Sequence, residues 1–222
     1  MNGDSVFFKR DERSTMSTPN EIPPPGDYTH ARTGMWLFLI TEIFAAWGFF
    51  LVYAEYRAQF PEDFQFAGNT LEILPGLLTT IVLITCSFTV NLATLYLQRK
   101  NRETSAWFLA ISVLLGLGFL IIKFFEWFAK IDKGLFPGSK ILQTHPPGEN
   151  IFYRMYYLVT GFHGLLVLAV TIALAALLFH VWRNPIDSNR SGTMIKMENT
   201  ALLWHTLVVL WIFIFPLFYL LT

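Results

Sequence analysis

The sequence predicts an all-α fold, an integral membrane bundle of five transmembrane helices, on three observations. The 222 residues are 54% hydrophobic and only 14% charged, where an ordinary soluble domain carries about 25% charged residues. Five stretches are long enough to cross a bilayer at about 20 residues each, and they are apolar nearly all round. No period-two alternation is sustained, and an open sheet would leave backbone groups unsatisfied in lipid. The formal net charge is zero, which gives no basic footprint for nucleic acid. A single cysteine, Cys86, excludes an internal disulfide.

Residues 1–32 form a polar N-terminal tail with Asp4, Lys9, Arg10, Asp11, Glu12, Arg13 and the run Pro23-Pro24-Pro25-Gly26. No apolar stretch directly follows a basic start, so it reads as an extended tail rather than a signal peptide. The transmembrane domain covers 33–222, with spans at about 33–56, 72–97, 104–130, 151–182 and 198–221. Pro75 falls near the start of the second span, where its missing N–H costs least. Pro216 falls inside the fifth and predicts a kink or an end there. Residues 98–103 make a tight basic turn. The segments 57–71, 131–150 and 183–197 read as polar loops. No internal repeat is visible, which gives one domain. Ten of the 16 Lys and Arg fall on the N-terminal side of the spans and five on the opposite side, with Lys123 inside a span. The N-terminus is therefore expected in the cytoplasm or its equivalent.

Ionisable groups within a span cost about 2.5–3.5 kcal/mol each on the insertion scale, so each is a functional candidate. Glu42 lies about nine residues into the first span, roughly 14 Å deep by helical rise. It is either a proton-accessible or lipid-contacting carboxylate, or a protonated acid bonded to a neighbouring helix. Lys123 and Glu126 are three residues apart, share a helix face and can pair. His163 stands in Thr160-Gly161-Phe162-His163-Gly164, whose glycines would let another helix approach closely. Glu198 opens the fifth span, where an acid suits the helix dipole. His205, beside Trp204, reads as an interhelical hydrogen-bonding group rather than a metal ligand. A copper centre needs clustered Cys, Met and His. A bis-histidine haem needs two histidines at matching depth, and His163 and His205 are expected about a turn or more apart. No phosphate loop, zinc motif or nucleotide fingerprint is present. These readings leave three classes: a non-catalytic subunit, a membrane cytochrome with His163 and His205 as ligands, or a small transporter using Glu42 and the Lys123–Glu126 pair. Five spans do not divide into the equal halves of an inverted repeat, which ranks the transporter low.

Four stretches carry a resemblance to subunit III of the haem–copper oxidases. They are Gly34-Met35-Trp36-Leu37-Phe38-Leu39-Ile40-Thr41-Glu42 followed by Gly48-Phe49-Phe50, then Lys123-Phe124-Phe125-Glu126-Trp127, then Thr160-Gly161-Phe162-His163-Gly164-Leu165, and finally Glu198 with Trp204-His205 and Trp211. The resemblance covers roughly 31–222 and fits the family's shorter, five-helix form. It implies a non-catalytic core subunit of a cytochrome c oxidase in a bacterial-type cytoplasmic membrane. Such a subunit packs beside the haem- and copper-bearing subunit I, assembles with subunit II and holds ordered phospholipid. The family member supports proton uptake and slows turnover-linked inactivation. A respiratory supercomplex is among the assemblies implied, and no cofactor is expected in this chain itself. By the same resemblance, Glu42 takes the place of the family's carbodiimide-reactive glutamate. Glu126, His163, Glu198 and His205 take the places of its other intramembrane polar residues. The lipid-contact candidates are Trp36, Glu42, Trp127 and Trp204. Leu166 and Val208 stand where many members have a second histidine and an acidic residue. These departures fit a divergent oxidase branch and also the accessory subunit of nitric oxide reductases, and a quinol oxidase subunit is a further alternative.

Overall fold

The computed structural model describes residues 25–183 and 190–221. Its helices, in chain order, are α1 (Pro25–Gln59), α2 (Pro61–Asn69), α3 (Ile73–Gln98), α4 (Arg102–Asp132), α5 (Lys140–Gln143), α6 (Pro147–Arg183) and α7 (Arg190–Tyr219). Five of them, α1, α3, α4, α6 and α7, are long and apolar enough to cross a membrane.

The helices α3, α4, α6 and α7 enclose the core, and α1 lies on its edge against α6 and α7. Small residues set the close crossings. A Cβ on Gly116 would stand 2.6 Å from Thr171 Oγ1 between α4 and α6, and one on Gly76 would stand 2.7 Å from the Phe215 ring between α3 and α7. With no hydrophobic drive between helices in lipid, such close packing and short polar contacts hold the bundle together. The Thr89 and Ser112 hydroxyls meet at 2.8 Å. Ser105 donates to the Ala93 carbonyl at 2.8 Å, and Trp211 Nε1 donates to Thr80 Oγ1 at 3.0 Å. The edge helix has a narrow buried stripe, Leu39, Glu42 and Tyr53, at the spacing of one helix face. Tyr53 Oη donates to the Leu217 carbonyl at 2.7 Å and ties α1 to α7. The other side of α1, with Trp36, Phe44, Trp47 and Leu51, is exposed.

Three features differ from the sequence reading. First, α1 starts at Pro25, inside the stretch read as tail, because proline's fixed φ suits a first helical turn. Residues 1–24 of that tail, and residues 184–189 of the 183–197 loop, lie outside the described residues. Second, the 57–71 segment contains a helix. Pro61 opens α2, Glu62 and Asp63 occupy its first turn, and Phe64, Ala67 and Gly68 are buried. Phe64 packs edge-on against Tyr53 and Phe152 at 5.4 and 5.5 Å. Asp63 accepts from the Gly148 amide at the start of α6, at 3.0 Å. Third, α7 starts at Arg190, so half-buried Glu198 lies two turns into the helix and does not open it. The dipole account of Glu198 is therefore withdrawn, because that effect fades within the first turn. Pro216 does not end α7 but lies inside it, and the helix runs on to Tyr219.

Candidate functional site within the spans

Lys123 and Glu126 on α4 form a buried ion pair, Nζ to Oε2 at 3.0 Å. Two tyrosines that the sequence reading did not single out complete it. Tyr156 on α6 donates to Glu126 Oε1 at 2.6 Å. Tyr219, in the last turn of α7, donates to the same oxygen. Lys123 Nζ in turn donates to Tyr219 Oη at 2.8 Å. The ammonium also lies over the Trp211, Tyr219 and Tyr156 rings, 4.8, 5.4 and 5.5 Å from their centroids. Both charges are thus paired, hydrogen bonded and covered by aromatic faces. A buried pair requires this, since desolvation otherwise exceeds the Coulombic gain.

Glu42 and His163 form a second locus. Glu42 is the midpoint of α1, and His163 is near the middle of α6. Both line one small cavity of about 20 Å³ walled by Ala46, Phe49, Phe162 and Leu210. Glu42 Oε2 and His163 Nε2 are buried without a hydrogen-bond partner. The imidazole is wedged between Phe119 and Trp211, with ring centroids 5.8 and 5.0 Å away. Trp211 therefore touches both loci, with Lys123 on its ring and His163 beside it. Of the two glycines flanking His163, Gly161 provides a close approach, with Trp127 3.1 Å from the place of a Cβ. Gly164 faces open space.

His205 stands apart from both. Its Nδ1 meets Ser87 Oγ at 2.6 Å and its Nε2 meets Asn91 Oδ1 at 3.0 Å, both on α3. The amide oxygen can only accept, so Nε2 donates and Nδ1 accepts from the serine. With both nitrogens engaged, His205 offers none to a haem iron. His163 packs at the level of Trp211, six residues beyond His205 and so about 9 Å along α7. The pair does not fit a bis-histidine haem. Among the described residues, no three His, Cys, Asp or Glu converge as metal ligands. The aromatic candidates separate by exposure: Trp36 is half exposed, Trp127 is partly covered, and Trp204 is fully buried.

Sequence reading could not supply Tyr156, Tyr219, Ser87 or Asn91, because each reaches its partner from another helix. Only the i, i+3 spacing of Lys123 and Glu126 was a local signal.

Comparison with known proteins gives this arrangement a family. The family model described as cytochrome c oxidase subunit III matches residues 28–222. The chain is 31% identical over 190 residues to a cytochrome c oxidase subunit 3 of Synechocystis, covering 85% of this chain and 74% of that one. It is 29% identical to the cytochrome c oxidase subunit 3 of Rhipicephalus sanguineus, covering 87% of this chain and 74% of the relative. It is also 27% identical to a cytochrome bo(3) ubiquinol oxidase subunit 3 of Buchnera aphidicola, covering 84% and 89%. The match spans all five apolar helices and both polar loci, and the chain belongs to the cytochrome c oxidase subunit III family.

Proposed function

We propose that this chain is the non-catalytic subunit III of a respiratory haem–copper cytochrome c oxidase. It packs beside subunit I and neighbours subunit II in a bacterial-type cytoplasmic membrane. The carrying observation is the contrast between closed and open polar groups within the spans. Lys123 and Glu126 spend their bonding capacity on each other and on two tyrosines. That serves cohesion rather than redox chemistry, and haem and copper belong to the partner subunits. Glu42 and His163 keep one unpartnered polar atom each, beside a cavity about the size that holds a single water. A carboxyl and an imidazole that share a water can pass a proton between them, which supports a role in proton uptake.

Lipid binding belongs to the same reading. The exposed side of α1, with Trp36 at its edge, is apolar and aromatic in the manner of lipid- or partner-facing surfaces. Trp127, on α4, is partly covered by Tyr157 and Gly161 of α6. The excess of Lys and Arg on the N-terminal side supports a cytoplasmic N-terminus. A membrane-impermeant label should reach residues of 131–150 and not those of 183–197. Labelling of the second loop from outside would reverse the orientation.

A second reading keeps the role and changes the electron donor. The Buchnera relative is named a ubiquinol oxidase subunit. One experiment separates the two: purify the complex through this chain in mild detergent and measure oxygen uptake with reduced cytochrome c and with ubiquinol. Faster uptake with cytochrome c supports the first reading, and faster uptake with ubiquinol the second. Recovery with a nitric oxide reductase would overturn both. The complex stripped of this chain should keep its haem spectrum and lose activity sooner during turnover.

A further inference from the structure

At the end of the bundle where α3 begins and α4 finishes, an open groove of about 360 Å³ runs between the two helices. Toward the membrane interior it is lined by Leu78, Ile122 and Phe125, and at the helix ends by Glu72, Lys130 and Lys133. Leu78 and Phe125 are exposed. Among the described residues, the charges at the mouth have no ion-pair partner. Lys130 is buried, at 4% exposure, and its Nζ donates to the Thr70 carbonyl. Among the described residues it has no carboxylate in ion-pair reach. One carbonyl does not offset the desolvation of an ammonium, so the site is short of an anion. Lys133 and Glu72 are exposed, and Glu72, at the N-cap of α3, makes no capping bond. Glu126 also borders the groove, but its oxygens are taken by Lys123, Tyr156 and Tyr219.

We propose that this groove binds one zwitterionic phospholipid. The phosphate is held by Lys130 and Lys133, the headgroup ammonium by Glu72, and an acyl chain lies along Leu78, Ile122 and Phe125. Three features select this occupant. Two cations beside one carboxylate match a phosphate beside an ammonium, whereas a purely anionic headgroup would face Glu72 unfavourably. The apolar strip continues from the charged mouth into the span, which a free phosphate would leave bare. The charged groups sit at helix ends, where the headgroup layer of a bilayer lies. The site is on different helices from the Glu42 cavity, and it requires only that the chain is membrane-embedded. It therefore stands whichever electron donor the complex uses.

The test uses the assembled complex, purified in mild detergent and equilibrated with vesicles of equal parts phosphatidylethanolamine and phosphatidylglycerol. Native mass spectrometry then reads the retained lipid. The expected result is one firmly retained phosphatidylethanolamine, with retention about tenfold lower in Lys133→Gln, the order of one charge-assisted hydrogen bond. Glu72→Gln should lower it severalfold. Leu78→Trp, which leaves every charge in place, should expel it by filling the apolar strip. Lys140→Gln, an exposed lysine at the same end but outside the groove, should leave it unchanged. Three outcomes overturn the proposal: equal retention in Lys133→Gln, a gain in Glu72→Gln (an anionic lipid instead), or an equal loss in Lys140→Gln (surface charge alone).

Discussion

Tyr156 and His163 lie seven residues apart on α6 and so occupy one face of it, yet they organise opposite kinds of polar site. At Tyr156 the ion pair of α4 is closed, with the phenol of α6, the phenol of α7 and the ammonium all converging on one carboxylate. At His163 the imidazole Nε2 and the Glu42 Oε2 are buried without a partner, and both residues line one small cavity. A buried polar atom without a partner costs about 1–3 kcal/mol, and the two residues that carry such atoms line one cavity. The difference teaches that polarity within these spans is not of one kind. The first locus is a lock between three helices, and the second retains bonding capacity that pure packing would have removed.

The sharpest way to break this comparison is to halve the lock. Among the described residues, Glu126→Leu leaves the buried Lys123 ammonium with the Tyr219 hydroxyl as its one hydrogen-bond partner. The expected loss is about 3–5 kcal/mol, as for other buried pairs deprived of one partner. It would be read as a fall in the thermal midpoint of the purified complex. The double variant Lys123→Met, Glu126→Leu should recover most of that loss, because a well-packed apolar pair replaces two charges. A double variant no more stable than Glu126→Leu would show that the charges do more than hold helices together.

Next in size is Tyr156→Phe. It removes one donor to a charged oxygen while Tyr219 still donates to it, so the expected loss is about 1.5–3 kcal/mol. His163→Phe makes the matching test at the other locus. An aromatic ring between Phe119 and Trp211 is kept, and of the two nitrogens removed Nε2 has no partner. Replacing such a group by an apolar one of similar shape is nearly neutral or stabilising, so the midpoint should hold or rise while the haem and copper content stays constant. A large drop in stability would mean that His163 Nε2 is satisfied within the membrane-embedded complex, and the contrast between the loci would fall.

The bundle was legible in the sequence because composition alone decides it. Long runs without a polar stripe have only lipid or a large interior as their surroundings, and length selects the first. The helix α2 was missed because nine residues with Glu62 and Asp63 among them look like a polar loop. The signal was there in Pro61 followed by two acids, a helix start. Glu198 was misplaced for a related reason. The hydrophobic run begins at about 198, but the helix begins at Arg190, because α-helical backbone continues beyond the apolar boundary. Glu42, Lys123, Glu126 and His163 were legible individually as ionisable groups in apolar surroundings. Their grouping was not. The ion pair depends on two tyrosines 63 residues apart, and such contacts follow from helix crossings that no local pattern encodes.

The smallest expected effect on stability carries the most information about the open locus. Glu42→Gln preserves the side-chain shape and the ability to bond a water, so its stability should change by less than about 1 kcal/mol. What it removes is the exchangeable acid. Treatment of the complex with a hydrophobic carbodiimide should add mass to this chain in the parent and not in Glu42→Gln. The lock makes the control: Glu126 is held by an ammonium and two phenols and should stay unmodified in both. If labelling persists in Glu42→Gln, the reactive carboxyl lies elsewhere in the spans and the cavity is a packing defect. If labelling is lost and the complex also inactivates in fewer turnovers at unchanged thermal midpoint, the bonding capacity left beside His163 serves proton movement rather than cohesion.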